Sequence, residues 1–329
     1  MILVCGGLAD TVVELVCARI EHLGYEYRLL NLGLYPEGYI VDWRWDGDTV
    51  QGTLVGPDWT LNLAEVSGVF VRYLEREGHA PVTTVPAHLE EAALAECQTG
   101  VTTLLEYFPG PVANRLNASM SNQSKPYQSL IIRQVEPLRI PRTLITSDPA
   151  AARAFFEVCA GEVIFKSLSS VRSIVRRMEP RDFERLLFLR ECPAQFQEYV
   201  PGDNVRVHVV GDEIFATRAQ TGAVDYRYAQ QQGFALEMEP TALPPQIAEA
   251  CLRLTHTMGL LFAGIDLKET PDGEYYCFEV NPSPGFIFYE RCTGQPISTS
   301  LVELLRRGRY SPDPVHMRVE SQEIAPAKF

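Results

Sequence analysis

The 329-residue sequence predicts an α/β amino-terminal domain followed by a longer α+β region, and three observations carry that prediction. The apolar run Met1–Cys5 leads through Gly6–Gly7 into apolar residues at helical spacing, the opening of a β-α-β unit. After Pro109-Gly110-Pro111 the pattern changes: helices and strands mix irregularly and two pairs of strands read as hairpins. The proline-glycine cluster itself marks a boundary.

In order, Val13, Val16, Cys17, Ile20 and Leu23 predict a helix over about Asp10–Leu23, stopped by Gly24. Tyr27–Asn31 is a second strand, short strands follow to Val69–Tyr73, and a long helix runs from about Pro86 to Tyr107. The Gly6–Gly7 turn lacks the full GxGxxG spacing, so it reads as a tight strand-to-helix turn. A helix over about Ser121–Gln134 is expected next, then strand Thr143–Thr146 and helix Ala150–Cys159, capped by Ser147 or Asp148. Strand Val163–Lys166, a helix near Arg181–Arg190 and strand Gln195–Val200 follow. A pair of strands from Val205 turns at Gly211–Asp212, and the helix Gln246–Met258 carries Ile247, Cys251, Leu254 and Met258 on one face. The last hairpin pairs Phe262–Glu269 with Tyr275–Asn281. The expected units are 1–112, 113–192 and 193–310, with a proline-rich, poorly ordered tail at 311–329.

The composition, 46% hydrophobic and 22% charged, is that of a soluble globular protein. A net charge of −13 argues against general nucleic-acid or anionic-membrane binding. The eight cysteines form no CxxC pair and sit mostly in apolar runs, so free buried thiols in a reducing, cytoplasmic setting are expected. Neither a signal-like start nor an apolar stretch of membrane-spanning length is present. The six histidines lack metal-ligand spacing, and no GxSxG, HExxH or Walker-type sequence occurs.

The last hairpin is the most informative segment. Pairing Pro271 with Glu274 across the turn and counting outward puts Asp266 opposite Glu279, with Asn281 on the same face. Two opposed carboxylates repel unless a positive charge lies between them. A divalent cation fits, because Asp, Glu and Asn offer the oxygen ligands that Mg²⁺ takes. A nearby Lys or Arg, or one carboxylate turned to solvent, would serve equally, and a one-residue slip of register would remove the pairing.

Other residues become informative in combination. Lys166 ends an apolar strand, where its ammonium could reach a phosphate. Gln197–Val200 is an extended segment stopped by Pro201–Gly202, which by itself reads as a simple edge strand and could also offer backbone groups to a base edge. Arg206 alternates with Val205 and Val207 and so opposes the apolar face, whereas Arg218 falls across from Val205 and stays outside the expected site.

Read in order, Lys125 in SKPYQ, Lys166 in VIFKS, the QEYVPGDNVRVHVVGDE stretch and AGIDL…FEVNPSPG resemble the ATP-grasp superfamily over about Asn114–Leu305. The nearest likenesses are to ribosomal-protein glutamate ligases and to the macrocyclases of microviridin-type peptides (graspetides). The resemblance implies two α+β lobes clamping ATP, with Lys125 and Lys166 on the phosphates. Glu198 and Val200 would meet the adenine through backbone, and Asp203 or Asn204 the ribose. Asp266, Glu279 and Asn281 would hold Mg²⁺, in agreement with the register argument, and Arg206 and Arg227 are the implied catalytic arginines.

The loop Ser167–Ser173 departs from the usual glycine-rich pattern, and Arg172 is its available cation. The ending Pro282-Ser283-Pro284-Gly285, Tyr289-Glu290, Thr293-Gly294 and Pro296-Ile297 is similar to that of the macrocyclases. The implied activity is activation of a carboxylate as an acyl phosphate and its coupling to an amine or hydroxyl, on a peptide of ribosomal origin. The alternatives are addition of a free amino acid to a peptide or small acid, and a non-catalytic nucleotide-binding role. A homodimer or higher homo-oligomer is implied by the same likeness.

Overall fold

The computed structural model describes residues 1–46, 49–73, 85–168, 175–221 and 233–308. Arg172, Arg227 and the tail expected to be poorly ordered lie outside the described residues.

The expected β-α-β opening is present as β1 (Ile2–Gly6), α1 (Thr11–His22) and β2 (Tyr27–Asn31), with β1 and β2 parallel. Asp10 caps α1, its Oδ1 accepting the N–H of Val12 at 2.8 Å. A small antiparallel sheet of β3 (Ile40–Asp46), β4 (Thr49–Val55) and β5 (Thr60–Asn62) is inserted before β6 (Gly68–Val71) rejoins the parallel sheet. After α2 (Glu90–Tyr107), the short β7 (Val112–Ala113) completes the order β2–β1–β6–β7. β1 and β6 are buried along their whole length because both sheet faces are covered. Leu104 and Leu105 of α2 cover one face, and α1 covers the other.

The helix expected from Ser121 is broken in two. After α3 (Leu116–Ser119) a 3₁₀ turn at Met120–Gln123 ends at Ser124, and α4 spans Lys125–Ile132. Ser124 accepts the N–H of Tyr127, and Pro126 lies in the first turn, where its missing N–H costs nothing. Lys125 is therefore the first residue of a helix, not an interior one.

β8 (Thr143–Thr146), α5 (Pro149–Val158), β9 (Val163–Lys166), β10 (Arg176–Arg177) and β11 (Ala194–Glu198) build an antiparallel sheet of order β10–β9–β11–β8. Asp148 caps α5, and Pro180–Arg190 is 3₁₀-helical. Because β11 pairs with both β8 and β9, it belongs to this central sheet, and a third unit starting at 193 would cut the sheet apart. That boundary moves past Val200.

The third sheet contains β12 (Asp203–Val210), β13 (Glu213–Gln220), β14 (Glu237–Pro240), β15 (Phe262–Glu269) and β16 (Tyr275–Asn281), ordered β14–β13–β12–β15–β16. α6 (Pro245–Thr257) packs Ile247, Cys251 and Leu254 against Val205, Val207, Ile265 and Val280 on one face. The opposite face carries the polar residues described below. α7 (Ile287–Thr293) and α8 (Ile297–Arg307) return the chain to the first sheet, where a Cβ on Gly68 would lie 2.4 Å from the Leu305 carbonyl. Of the eight cysteines, all free, Cys5, Cys17, Cys251 and Cys277 are buried, while Cys192 and Cys292 are exposed. Among the described residues no helix is long and apolar enough to cross a membrane.

Two polar residues hold the first and third sheets together. Glu290 accepts from Arg19 of α1 at 3.1 Å and from the Ser298 N–H and hydroxyl at 2.6 and 2.7 Å. Part of the ending used above as a branch signature therefore works as a clasp within the fold. Asn114, 3% exposed, accepts from the N–H groups of Leu261 and Phe262 at 2.8 and 3.0 Å. Its Nδ2 donates to the carbonyls of Phe262 and Pro282, both at 2.5 Å. Asn114→Ala leaves several of these buried groups unpaired, and a stability loss of about 3 kcal/mol is expected in urea denaturation.

Candidate functional site

The β15–β16 hairpin sets Asp266 opposite Glu279, as the sequence predicts, but by a different route. The turn pairs Thr270 with Glu274, not Pro271 with Glu274: the Thr270 N–H donates to Glu274 O and the Gly273 N–H to Thr270 O, each at 2.9 Å. Gly273 supplies the positive φ of +82° that this three-residue loop needs. The larger loop shifts the register by one, giving Leu267 opposite Cys277. A β-bulge then admits Phe278 as an extra residue and restores the expected pairing at Asp266 and Glu279. Phe278 and Glu279 are both half-buried, between the buried Cys277 and Val280, so the bulge turns the carboxylate toward the open face.

Arg206 lies opposite Asp266 on the other side, giving a row Arg206–Asp266–Glu279 across three strands. Its Nη1 contacts Asp266 Oδ1 at 2.8 Å, and Arg206 is 6% exposed. Gly264 makes the space: a Cβ there would lie 1.9 Å from Arg206 Nη2 and 2.7 Å from Pro284 Cβ. His208, fully buried, packs on Tyr289 with ring centroids 4.9 Å apart. Burial, reinforced by Arg206, holds its imidazole well below the ordinary range, so it is neutral. Arg206 thus supplies the positive charge that the opposed carboxylates require. The donor set, two carboxylates and the Asn281 amide oxygen on one face, also has the hard-oxygen chemistry of a Mg²⁺ site. The Oδ1 of Asn281 accepts the Ser283 N–H at 2.8 Å.

Lys125 reaches this neighbourhood through a residue that sequence reasoning missed. Gln128, 2% exposed, donates to the Val280 carbonyl at 2.6 Å and accepts the Val280 N–H at 3.2 Å. Val280 separates Glu279 from Asn281, and Lys125 stands about one helical turn before Gln128 on the same side of α4. Gln128 therefore docks α4, with Lys125 one turn earlier, onto the strand that carries Glu279 and Asn281. The available signal was a polar residue four positions before buried Ile132, on the apolar stripe. In Gln128→Leu the strand edge loses both bonds, and nucleotide turnover is expected to fall by about tenfold, read by ADP release.

On the central sheet Lys166 pairs with Gln195 and Ile164 with Gln197, which puts these four on one face. Phe165 and Phe196 point into the core on the other. Gln195 and Gln197 are each 3% exposed, and their Oε1 atoms have no hydrogen-bond partner among the described residues. Gln195, Ile145, Arg142, Arg133 and Ser129 line a cleft of about 490 Å³ between α4 and this sheet. The Glu198 carboxylate accepts the Arg142 N–H at 3.0 Å, and the Val200 carbonyl accepts from Lys268 at 2.9 Å.

The two expected ribose residues separate. Asp203 binds Arg218 at 2.8 Å and Gln220 at 3.2 Å, and Arg218 also pairs with Glu269. Arg218 lies across from Val205, so Asp203 is engaged on the face away from Asp266. Asn204 alternates onto the face of Arg206 and Asp266. Arg218, kept outside the expected site, is what ties up Asp203.

Comparison with known proteins gives a consistent result. A family model described as a RimK-like ATP-grasp domain matches residues 122–305. A probable alpha-L-glutamate ligase 2 of Shewanella amazonensis is 30% identical over 115 residues, 34% of this chain and 37% of the relative. The ribosomal protein bS6–L-glutamate ligase of Escherichia coli O81 is 33% identical over 117 residues, 34% of this chain and 37% of the relative. The chain thus spans well under half the length of these two curated relatives. A probable alpha-L-glutamate ligase of Haemophilus influenzae strain PittEE is 23% identical over 248 residues, covering 71% and 81%. Among solved structures, macrocyclase MdnC of Microcystis aeruginosa MRC, bound with precursor peptide MdnA, gives a TM-score of 0.76 at 25% identity, covering 94% of this chain and 100% of that one. The ATP-grasp ligase PsnB, complexed with a variant of its minimal precursor, Mg and ADP, gives 0.75 at 26% identity, covering 94% and 98%.

Proposed function

The chain belongs to the RimK-like ATP-grasp family, and from that premise we propose that it is a ligase that spends ATP to close amide or ester rings in a ribosomally made peptide. The observation that carries this reading is the likeness over 94% of the chain, amino-terminal sheet included, to ligases whose structures hold precursor peptides. By sequence, glutamate ligases match between 34% and 71% of the chain, the longest of these reported matches at 23% identity.

In this reading a substrate carboxylate attacks the γ-phosphorus of ATP, releasing ADP and forming an acyl phosphate. An amine or hydroxyl of the same peptide then displaces phosphate. Lys125 and Lys166 bind the phosphates as point charges, with Glu198 and Val200 at the adenine and Asn204 at the ribose. Asp266, Glu279 and Asn281 would hold Mg²⁺, which would supply charge neutralisation between the two reacting anions. Arg206 keeps Asp266 oriented and adds its positive charge to the row. Arg227 is retained in this reading as the second catalytic arginine. The protein supplies placement and preorganised charge, and no protein nucleophile is required.

A second reading, addition of a free amino acid to a peptide or small acid, is favoured by the sequence likeness to glutamate ligases. Mass spectrometry of short peptides encoded beside this gene, co-expressed with the protein or with Glu279→Ala, separates the two. Loss of whole waters that depends on the intact protein supports ring closure. Gain of amino-acid mass supports the second reading on a peptide, and unchanged peptides would remove ring closure and leave a small acid as the substrate of the second reading.

A further inference from the structure

We propose that Arg72, beside the end of the amino-terminal sheet, is a positioning residue for the metal-binding amide of Asn281, acting through Ser283. The inference rests on the reading of Asp266, Glu279 and Asn281 as the metal set.

Arg72 joins two anchors. Its Nη1 donates to the carbonyl of Ser283 at 2.8 Å and to the hydroxyl at 2.7 Å. Its Nε and Nη2 meet Asp10 Oδ2 at 3.0 and 2.9 Å. Asp10 is itself immobilised, because its other oxygen caps α1. Neither partner waves in solvent: the Arg72 and Asp10 side chains are 20% and 24% exposed. The remaining polar group of Ser283, its N–H, donates to Asn281 Oδ1.

Ser283, the middle link from the cap of α1 to the Asn281 amide, is exposed, and constraint on its backbone holds it in place. The guanidinium is planar, and Ser283 stands between Pro282 and Pro284, whose rings fix their own φ. Asn114 holds the Pro282 carbonyl from the same side. The contact also carries chemical information. An asparagine amide offers either an oxygen or an NH₂ to a cation, and only the oxygen accepts the Ser283 N–H. Oxygen has two lone pairs, so this bond selects the metal-competent rotamer and leaves one lone pair for the ion. A residue just past the end of the first sheet thereby sets the affinity of a cation bound on the third.

The test uses the full chain, with Mn²⁺ as the probe. Wild type, Arg72→Met and Arg72→Lys are titrated with Mn²⁺ by electron paramagnetic resonance in the presence of ADP. ADP binding without divalent ion is measured by calorimetry, and melting temperature is recorded. In Arg72→Met the Mn²⁺ dissociation constant is expected to rise about tenfold, with metal-free ADP affinity unchanged. Arg72→Lys should fall between, since an ammonium reaches one anchor but lacks the fork that bridges both. Wild-type Mn²⁺ affinity in Arg72→Met overturns the proposal. A parallel loss of Mn²⁺ binding, metal-free ADP binding and melting temperature also overturns it, marking Arg72 as a structural clasp only. Glu279→Ala separates the two levels: if it binds Mn²⁺ like wild type, the metal assignment itself falls, and the role of Arg72 with it.

Discussion

ATP turnover in Glu279→Gln is expected to drop by about 10²–10³, measured as ADP release at saturating peptide and Mg²⁺. The substitution keeps shape and hydrogen-bonding capacity and removes a single charge. That charge sits where the bulge at Phe278 aims it, beside Asp266 and one residue from the strand segment gripped by Gln128. If its role is to hold the cation that screens two reacting anions, no neighbour replaces it: the other carboxylate of the row, Asp266, is already paired with Arg206. Activity within about tenfold of wild type contradicts the metal assignment, because losing one preorganised charge at a reacting centre costs more than that.

Counting from Pro271 and Glu274 led to the right partners although the turn pairs Thr270 with Glu274, because the bulge at Phe278 cancels the error. Alternation of side chains is robust near the buried face, where Ile265 and Val280 must both point at α6. Turn size is less so: Thr270, Pro271, Asp272 and Gly273 suit more than one loop length. Strand and helix positions in the first sheet were legible because β1 and β6 are unbroken apolar runs. The membership of β11 was not, since strand order depends on partners distant in sequence. Arg72 and Asn114 carry no local signal of their contacts, and the place of Gln128 on the apolar stripe of α4 does not name its partner: each binds backbone that arrives from more than 140 residues away. The choice between Asp203 and Asn204 likewise turns on Arg218, whose partners only the folded sheet reveals.

Arg206→Met is expected to destabilise the divalent-free protein by about 1–3 kcal/mol, read by urea denaturation in EDTA, because Asp266 keeps partial access to water. The methionine fills much of the volume but leaves Asp266 directly opposite Glu279 with the Arg206 guanidinium gone. Mg²⁺ should then stabilise the variant more than wild type, because an ion that binds only the folded state supplies the charge that the guanidinium provided. Gly264 and Pro284 define the pocket tightly enough that Arg206→Lys should not restore wild-type behaviour. Equal stability of variant and wild type, with the same response to Mg²⁺, would show that the row Arg206–Asp266–Glu279 carries no electrostatic strain.

The central claim is that a substrate carboxylate passes through an acyl phosphate, and oxygen transfer tests it most directly. A peptide substrate carrying ¹⁸O in its side-chain carboxylates is turned over with unlabelled ATP in unlabelled water, and the released phosphate is weighed by mass spectrometry. The carboxylate oxygen that attacks the γ-phosphorus must leave with the phosphate, so each bond formed is expected to yield one phosphate bearing a single ¹⁸O. Unlabelled phosphate accompanying product formation would contradict the account.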